Sequence, residues 1–384
     1  MTTTGPLPPG DRALGPDLAR GVMLLFIALA NSHYFLTGTP AMGGFPLDGS
    51  RLDAAVTWAL ATFVDGRAYP LFGLLFGYGV AVIVDRNIDR GARAVRRLLW
   101  RRSAVLVAVG VVDGLLFYVG DILAMYGVLL ALGALVITWR DRWLLTIAGV
   151  LLAVAFLPSG DSMSISTDPP GPEMLPESVG AMVGDRLPAV AVIALLGPLG
   201  FAGPFLVGLV LGRRRVLERV ADHRRFLAAA AVGGITVAVI GAQPSALVLA
   251  GVVVVPGRET LEVWGPLHDA TGVLGGFGYA ALIVLVADRI ARPGAAVTAL
   301  AATGQRSMTC YLAQSVAWAV LFTPFLLGLA GDLGVAGAAA LATLVWAATV
   351  LMAEAMRRAG NRGPFETLVR RVTYGGGVGR RVAA

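Results

Sequence analysis

Apolar runs of about 16 to 25 residues recur from one end of the 384-residue chain to the other, and each is long enough to cross roughly 30 Å of hydrocarbon as a helix. The chain is therefore expected to be an all-α integral membrane protein. Hydrophobic residues make up 57% of it, charged residues 14%, and its mean hydropathy is +0.75, whereas a soluble domain carries roughly 25% charge. A single transmembrane helical domain, residues 16–357, takes up nearly everything. Residues 1–15 read as a flexible cytoplasmic tail and 358–384 as a basic cytoplasmic tail.

The pattern predicts about ten spans, near residues 17–36, 67–85, 103–118, 121–138, 143–157, 187–211, 226–241, 269–288, 305–328 and 333–356. An amphipathic segment, RLDAAVTWALATF, is expected to lie outside before the second span. The Gln243-Pro244 step predicts a break, then a short external half-helix near 245–255 and an external loop, PGRETLEVWGPLHD. Residues 158–185 carry five acidic residues and no basic one, and read as the largest external loop.

All 31 basic residues are Arg. An N-in, C-in orientation puts 26 of them in cytoplasmic segments and four (Arg51, Arg67, Arg186, Arg258) outside, with Arg306 inside span nine, which is the positive-inside asymmetry. The formal charge of +7 is thus explained by membrane topology, and no nucleic-acid partner is expected. The expected location is the bacterial inner membrane, multi-pass. No cleavable signal peptide is read at the N-terminus. One cysteine, Cys310, and three scattered histidines, His33, His223 and His268, give no metal-ligand spacing, so no metal is expected.

Ionisable groups at membrane depth are costly unless they face a cavity or a partner, so each is a candidate functional residue. Asp17 and Arg20 are three apart in span one, and Asn31 follows Arg20 by eleven residues on nearly the same azimuth; His33 stands at the outer end. Asp113 and Asp121 flank an external turn with Tyr118 and Tyr126 close in sequence. Paired carboxylates suit acid/base chemistry, while Asp121 also suits a helix N-cap and Asp113 an ion pair with Arg67 or another arginine. In span nine, Arg306, Cys310 and Gln314 follow an i, i+4, i+8 ridge, with Thr309 and Tyr311 beside it. Arg306 could anchor an anion or snorkel, with Glu354 as a partner.

Five segments in order, DLARGVMLLFIALAN, FGLLFGYGVAV, GLLFYVGDILAMYG, GQRSMTCYLAQ and GPFETLVRRVTYG, resemble the YeiB-like bacterial membrane proteins. The resemblance runs from about residue 13 to 375, and its second half corresponds to a catalogued domain of unknown function. That family is similar to the transmembrane acyltransferases, which implies about ten helices, an acyl-CoA entry on the cytoplasmic side and an acceptor site facing outward. The resemblance assigns Arg20, Asn31 and His33 to the acyl-transfer centre. Two departures stand out: Asp113-Gly114 replaces the family's His-Gly, and Gln305, Arg306 and Cys310 alter the span-nine motif.

The resulting expectation is an acyltransferase moving an acyl group from cytoplasmic acyl-CoA to an extracytoplasmic glycan or glycolipid. His33, Asp113 and Asn31 would be catalytic; Arg20, Arg306, Tyr311, Gln314, Asp121, Tyr126 and Asp17 would bind substrate or CoA, with further CoA phosphate contacts from Arg96 or Arg97. The alternative is a transporter or lipid-handling protein using the same buried groups. Membrane lipids, acyl-CoA and the acceptor are the expected partners, and a homodimer is allowed for.

Overall fold

The computed structural model describes residues 13–374; the tail expectations for 1–12 and 375–384 lie outside the described residues. The chain is almost wholly helical. In order come α1 (Leu14–Ser32), a hairpin of β1 (Ala41–Met42) and β2 (Phe45–Pro46), α2 (Arg51–Phe63), α3 (Ala68–Asn87), α4 (Ala92–Leu116), α5 (Leu123–Val136) and α6 (Asp141–Ala155). Then follow α7 (Val179–Leu196), α8 (Pro198–Arg213), α9 (Val220–Leu249), α10 (Arg258–Asp288), α11 (Ala295–Gln305), α12 (Ser307–Phe322), α13 (Val335–Arg358) and α14 (Pro364–Tyr374).

Among the described residues six segments are long and apolar enough to cross a bilayer: Leu14–Phe35, Arg51–Arg86, Val179–Arg213, Val220–Leu249, Arg258–Asp288 and Val335–Arg358; α5 and α12 are shorter apolar helices. The chain is a multi-pass membrane protein. Its outward faces carry exposed Leu132, Leu145, Val150, Ile240 and Leu351, side chains that suit a lipid solvent. Inside, α1 is central and touches α3, α10, α11, α12 and α13, while α9 lies along α10 and α3 along α8. Lipid is as apolar as leucine, so such pairs are held by close packing. Gly208 of α8 shows how close: a Cβ there would run into the backbone carbonyl of Leu74 in α3.

The two ends differ in chemistry. At one end arginines stitch the connections together: Arg213 donates to the carbonyls of Trp139 and Ile137 and to Asp141 at 2.8, 2.7 and 2.8 Å, Arg215 to Asp85 at 2.6 Å, and Arg96 to the Ala134 carbonyl at 3.2 Å. At the opposite end lie the β-hairpin, α2 and the segments 158–178, 250–257 and 323–334. There Asp53 completes a capping box with Ser50 on α2 and also accepts the Ala336 amide of α13 at 2.8 Å, so one carboxylate closes two helix N-termini.

Several predicted boundaries move. The half-helix expected near 245–255 is not a separate element: α9 runs through Pro244 to Leu249, and 250–257 is non-helical. Proline removes one amide from the ladder, but neighbours can compensate in a packed apolar helix. Pro244 leaves the Ile240 carbonyl without its ladder amide, and beside it the Gln243 side chain donates to the Val239 carbonyl at 2.8 Å and accepts from Trp58 of α2 at 3.1 Å, which ties this turn to α2. The predicted loop PGRETLEVWGPLHD is mostly helix, since α10 starts at Arg258. Span nine is two helices, broken at Arg306, whose φ of −117° and ψ of 28° leave the α region. The Arg-rich stretch before span three is the first half of α4, part of the acidic loop is the start of α7, and part of the basic tail is α14.

Candidate functional site

Helix α1 ends at Ser32, and one 3-10 turn, His33–Phe35, swings the next side chains into the interior. His33 is fully buried. Its ring stacks on Phe45 of the hairpin, centroids 3.8 Å apart at 13°. Nε2 lies 3.2 Å from the nearer Asp65 oxygen, in the four-residue connection between α2 and α3. A carboxylate accepts, so Nε2 carries the proton and Nδ1 presents a lone pair. That Nδ1 has no hydrogen-bond partner. Gly44 covers it: φ is +78°, and a Cβ there would sit 3.0 Å from Nδ1 and closer still to the Tyr34 ring.

A second pair lies next to this one. Arg67, the N-cap of α3, is fully buried and donates to the Asp65 carbonyl, to the Ala238 carbonyl at 2.8 Å and to His268 Nε2 at 2.9 Å. His268 Nδ1 is 3.2 Å from Asp269, which also receives the Ser162 hydroxyl at 2.6 Å. His268 Nε2 also lies 2.9 Å from the Ala61 carbonyl, so it faces one donor and one acceptor, while Nδ1 faces the Asp269 carboxylate, which only accepts. Asp65 thus joins both histidines, through its side chain and its carbonyl. Hydropathy singles out neither Asp65 nor the His268-Asp269 pair; the only signal is charge (FVDGRAYP, PLHDATG) at the edge of apolar runs.

Tyr34 extends the cluster inward, within electrostatic range of Asp65, Asp269 and Tyr118, and Tyr118 is in turn close to Asp121 and Asp113. Asp121 and Asp113 are 3% and 2% exposed. One Asp121 oxygen accepts the Leu123 and Ala124 amides at 2.9 and 3.0 Å, capping α5. Asp113 faces Asp121 and Ser315, yet neither of its oxygens has a hydrogen bond of good geometry. The expected Asp113–Arg67 pair does not form, because Arg67 is committed to Asp65 and His268. The nearby arginine is Arg186 of α7, itself 1% exposed and held by the Glu173 carbonyl at 2.9 Å. Tyr311 joins this group, its hydroxyl accepting the Ile122 amide at 3.2 Å.

The other predicted residues lie elsewhere. Asp17 bonds Arg20 at 3.3 Å and Gln305 at 3.0 Å, at the arginine-rich end of α1. Asn31 is half-buried with no hydrogen bond to a described residue. Tyr126 sits among Phe72, Phe76 and Phe201, and Gln314 reaches the Leu24 carbonyl at 3.4 Å. Arg306 neither snorkels nor pairs with Glu354. It bonds the Ala302 carbonyl at 3.1 Å and the Asn361 carbonyl at 2.5 Å, while Glu354 takes Arg357 and Arg358 at 2.7 and 2.8 Å. Arg96 is likewise spent on the end of α5. Among the described residues no group of three or more His, Cys, Asp or Glu side chains is arranged to hold a metal ion.

Residues 211–376 match the family described as "Protein of unknown function (DUF418)". Along 97% of both chains the sequence is 25% identical to "Uncharacterized protein YxaH" of Bacillus subtilis. A shorter stretch, 30% of this chain and 29% of the relative, is 34% identical to "Uncharacterized protein YeiB" of Escherichia coli. Residues 211–376 thus carry the DUF418 domain, and the chain as a whole is similar to the YeiB-like proteins. It is also 36% identical, over 30% of this chain and 32% of the relative, to an "Uncharacterized 39.9 kDa protein in amylase 3'region" of Bacillus acidopullulyticus. The DUF418 match begins near the end of α8, so His268 and Arg306 fall inside it, while His33, Asp65, Asp113 and Asp121 lie in the preceding part. The YeiB-like fold thus builds its polar centre from both parts of the chain.

Proposed function

We propose that this YeiB-like protein is an inner-membrane acyltransferase, moving an acyl group from acyl-CoA at its arginine-rich, cytoplasmic end to a hydroxyl or amine of an extracytoplasmic glycan or glycolipid. The observation that carries this reading is the His33–Asp65 dyad: a buried imidazole with one nitrogen held by a carboxylate and the other without a partner. Such a histidine is a general base with an orienting group. Nδ1 would take the proton of the acceptor as its oxygen or nitrogen attacks the thioester carbonyl. The C–S bond then breaks, and the proton leaves with the CoA thiolate. The sequence departure at Asp113 is no obstacle here, because the dyad supplies a base without it.

The acceptor would have to displace the Gly43–Phe45 tip of the hairpin, which covers His33. From Arg20 to His33 is 13 residues, about 20 Å along α1, a gap that an extended pantetheine arm can bridge.

A second reading, transport or lipid handling, is favoured by one observation. Asp113 is 2% exposed and its carboxyl oxygens make no hydrogen bond of good geometry, as expected of an ion or proton carrier within a membrane. One variant separates the two. If the protein is an acyltransferase, Asp113→Asn retains at least about a third of the CoA-thiol release, a loss of under ~1 kcal/mol. Solute or lipid flux in proteoliposomes that disappears in Asp113→Asn, with no thiol release in either protein, would favour the carrier.

A further inference from the structure

Arg102 belongs to α4, which packs against α14, and lies within electrostatic range of Arg20, Tyr374 and Glu366. It makes no hydrogen bond or ion pair with a described residue, and its Nε has neither a partner nor contact with solvent. Arg102 as a whole is half-buried, but a guanidinium nitrogen sealed off without a partner is expensive unless something outside the chain completes it. Glu366 does not: its two oxygens accept the amides of Met308 and Thr309 at 2.9 and 3.1 Å and the Thr309 hydroxyl at 2.5 Å. Arg20, held by Asp17 at 3.3 Å, brings a second positive charge within electrostatic range of Arg102, and Tyr374 brings a phenol.

We propose that Arg102, with Arg20 and Tyr374, forms an anion site for a phosphate- or diphosphate-bearing ligand at the arginine-rich end of the molecule. Two guanidiniums and a hydroxyl match the oxygens of a phosphoryl group, and the guanidinium fork binds such groups in pairs of bonds. The sequence gives little hint of it, because Arg102 is one of seven arginines between residues 86 and 102. Two sources carry this chemistry, a soluble phosphate ester such as CoA and the headgroup of an anionic lipid. Only its identification with a CoA donor rests on the acyl-transfer reading; the anion site itself does not.

The test uses the full chain in phosphate-free detergent, titrated calorimetrically with inorganic pyrophosphate and with CoA. In parallel, native mass spectrometry reads phosphatidylglycerol retained from nanodiscs. Binding to the wild type is expected to weaken about tenfold or more in Arg102→Gln, while Arg93→Gln, an exposed residue of the same helix, binds as the wild type does. Arg102→Lys keeps the charge without the fork and is expected to fall between, which covers the case that Arg102→Gln does not fold. Arg102-dependent binding of pyrophosphate or CoA assigns the site to a soluble ester, and Arg102-dependent retention of lipid alone assigns it to a headgroup. Binding of none of the three, or binding indifferent to Arg102, overturns the site. Binding with no acyl transfer would leave the site standing and remove only the proposed reaction.

Discussion

Replacing His33 with Ala is expected to lower acyl transfer by about 10²- to 10⁴-fold in kcat, the range for losing a general base, with KM for acyl-CoA little changed. The reason is geometric. His33 is the imidazole whose nitrogen is left without a partner, and its position is fixed on three sides by Phe45, Asp65 and the Gly44 backbone. Asp65→Asn should cost less, about 10- to 100-fold, because an amide can still contact Nε2 but can also donate to it and favour the wrong tautomer. The pair is separated from a simple folding defect by thermal unfolding. His33→Gln, which keeps a polar side chain in the same space, is expected to unfold within a few degrees of the wild type and still lack activity. Equal rates in the wild type and His33→Ala would remove the dyad from the chemistry.

The second large effect is on stability. Glu366 of α14 accepts three bonds from the first turn of α12, so the break at Arg306 is closed by a side chain from a distant helix. A lost cap costs about 1 kcal/mol, and leaving partly buried donors unpaired adds 1–3 kcal/mol. Glu366→Ala is therefore expected to destabilise the protein by about 2–3 kcal/mol and to loosen α14 from α4 and α12. The checks are a lower melting temperature in detergent and faster proteolysis at residues 359–363, the connection from α13. Glu366→Gln keeps one acceptor oxygen and should lose less. An unchanged melting temperature and proteolysis pattern in Glu366→Ala would show that α14 is held by its apolar face alone.

Helices that are apolar along their whole length, α3, α5, α6 and α13, are readable from hydropathy to within a few residues, because their solvent is lipid and their composition has to show it. The expectations that moved are those where packing outweighs local signals. Pro244 reads as a break and Pro266 as part of a loop, yet α9 and α10 carry them because each lies along the other. Helices α4 and α14 begin in Arg-rich stretches that hydropathy reads as loops, although arginine is a good helix former. The same limit applies to the site. His33, Asp113 and Asp121 are legible as polar residues that apolar surroundings make costly. Their neighbours Asp65 and Arg186 are not, nor is the adjoining Arg67–His268 pair, since each comes from another helix or its boundary and sequence spacing carries no information about that distance.

The most direct measurement uses sealed membrane vesicles of both orientations, with [14C]acetyl-CoA, octanoyl-CoA or palmitoyl-CoA supplied only on the outer surface. A cysteine replacing the exposed Asp168 reports which side faces out, since the native Cys310 is buried. The account predicts that labelled acyl groups reach a membrane glycan or glycolipid only in inside-out vesicles, where Asp168→Cys is shielded from an impermeant thiol reagent, and that His33→Ala abolishes the transfer. Transfer in right-side-out vesicles, transfer indifferent to His33, or no transfer from any of the three donors would contradict it.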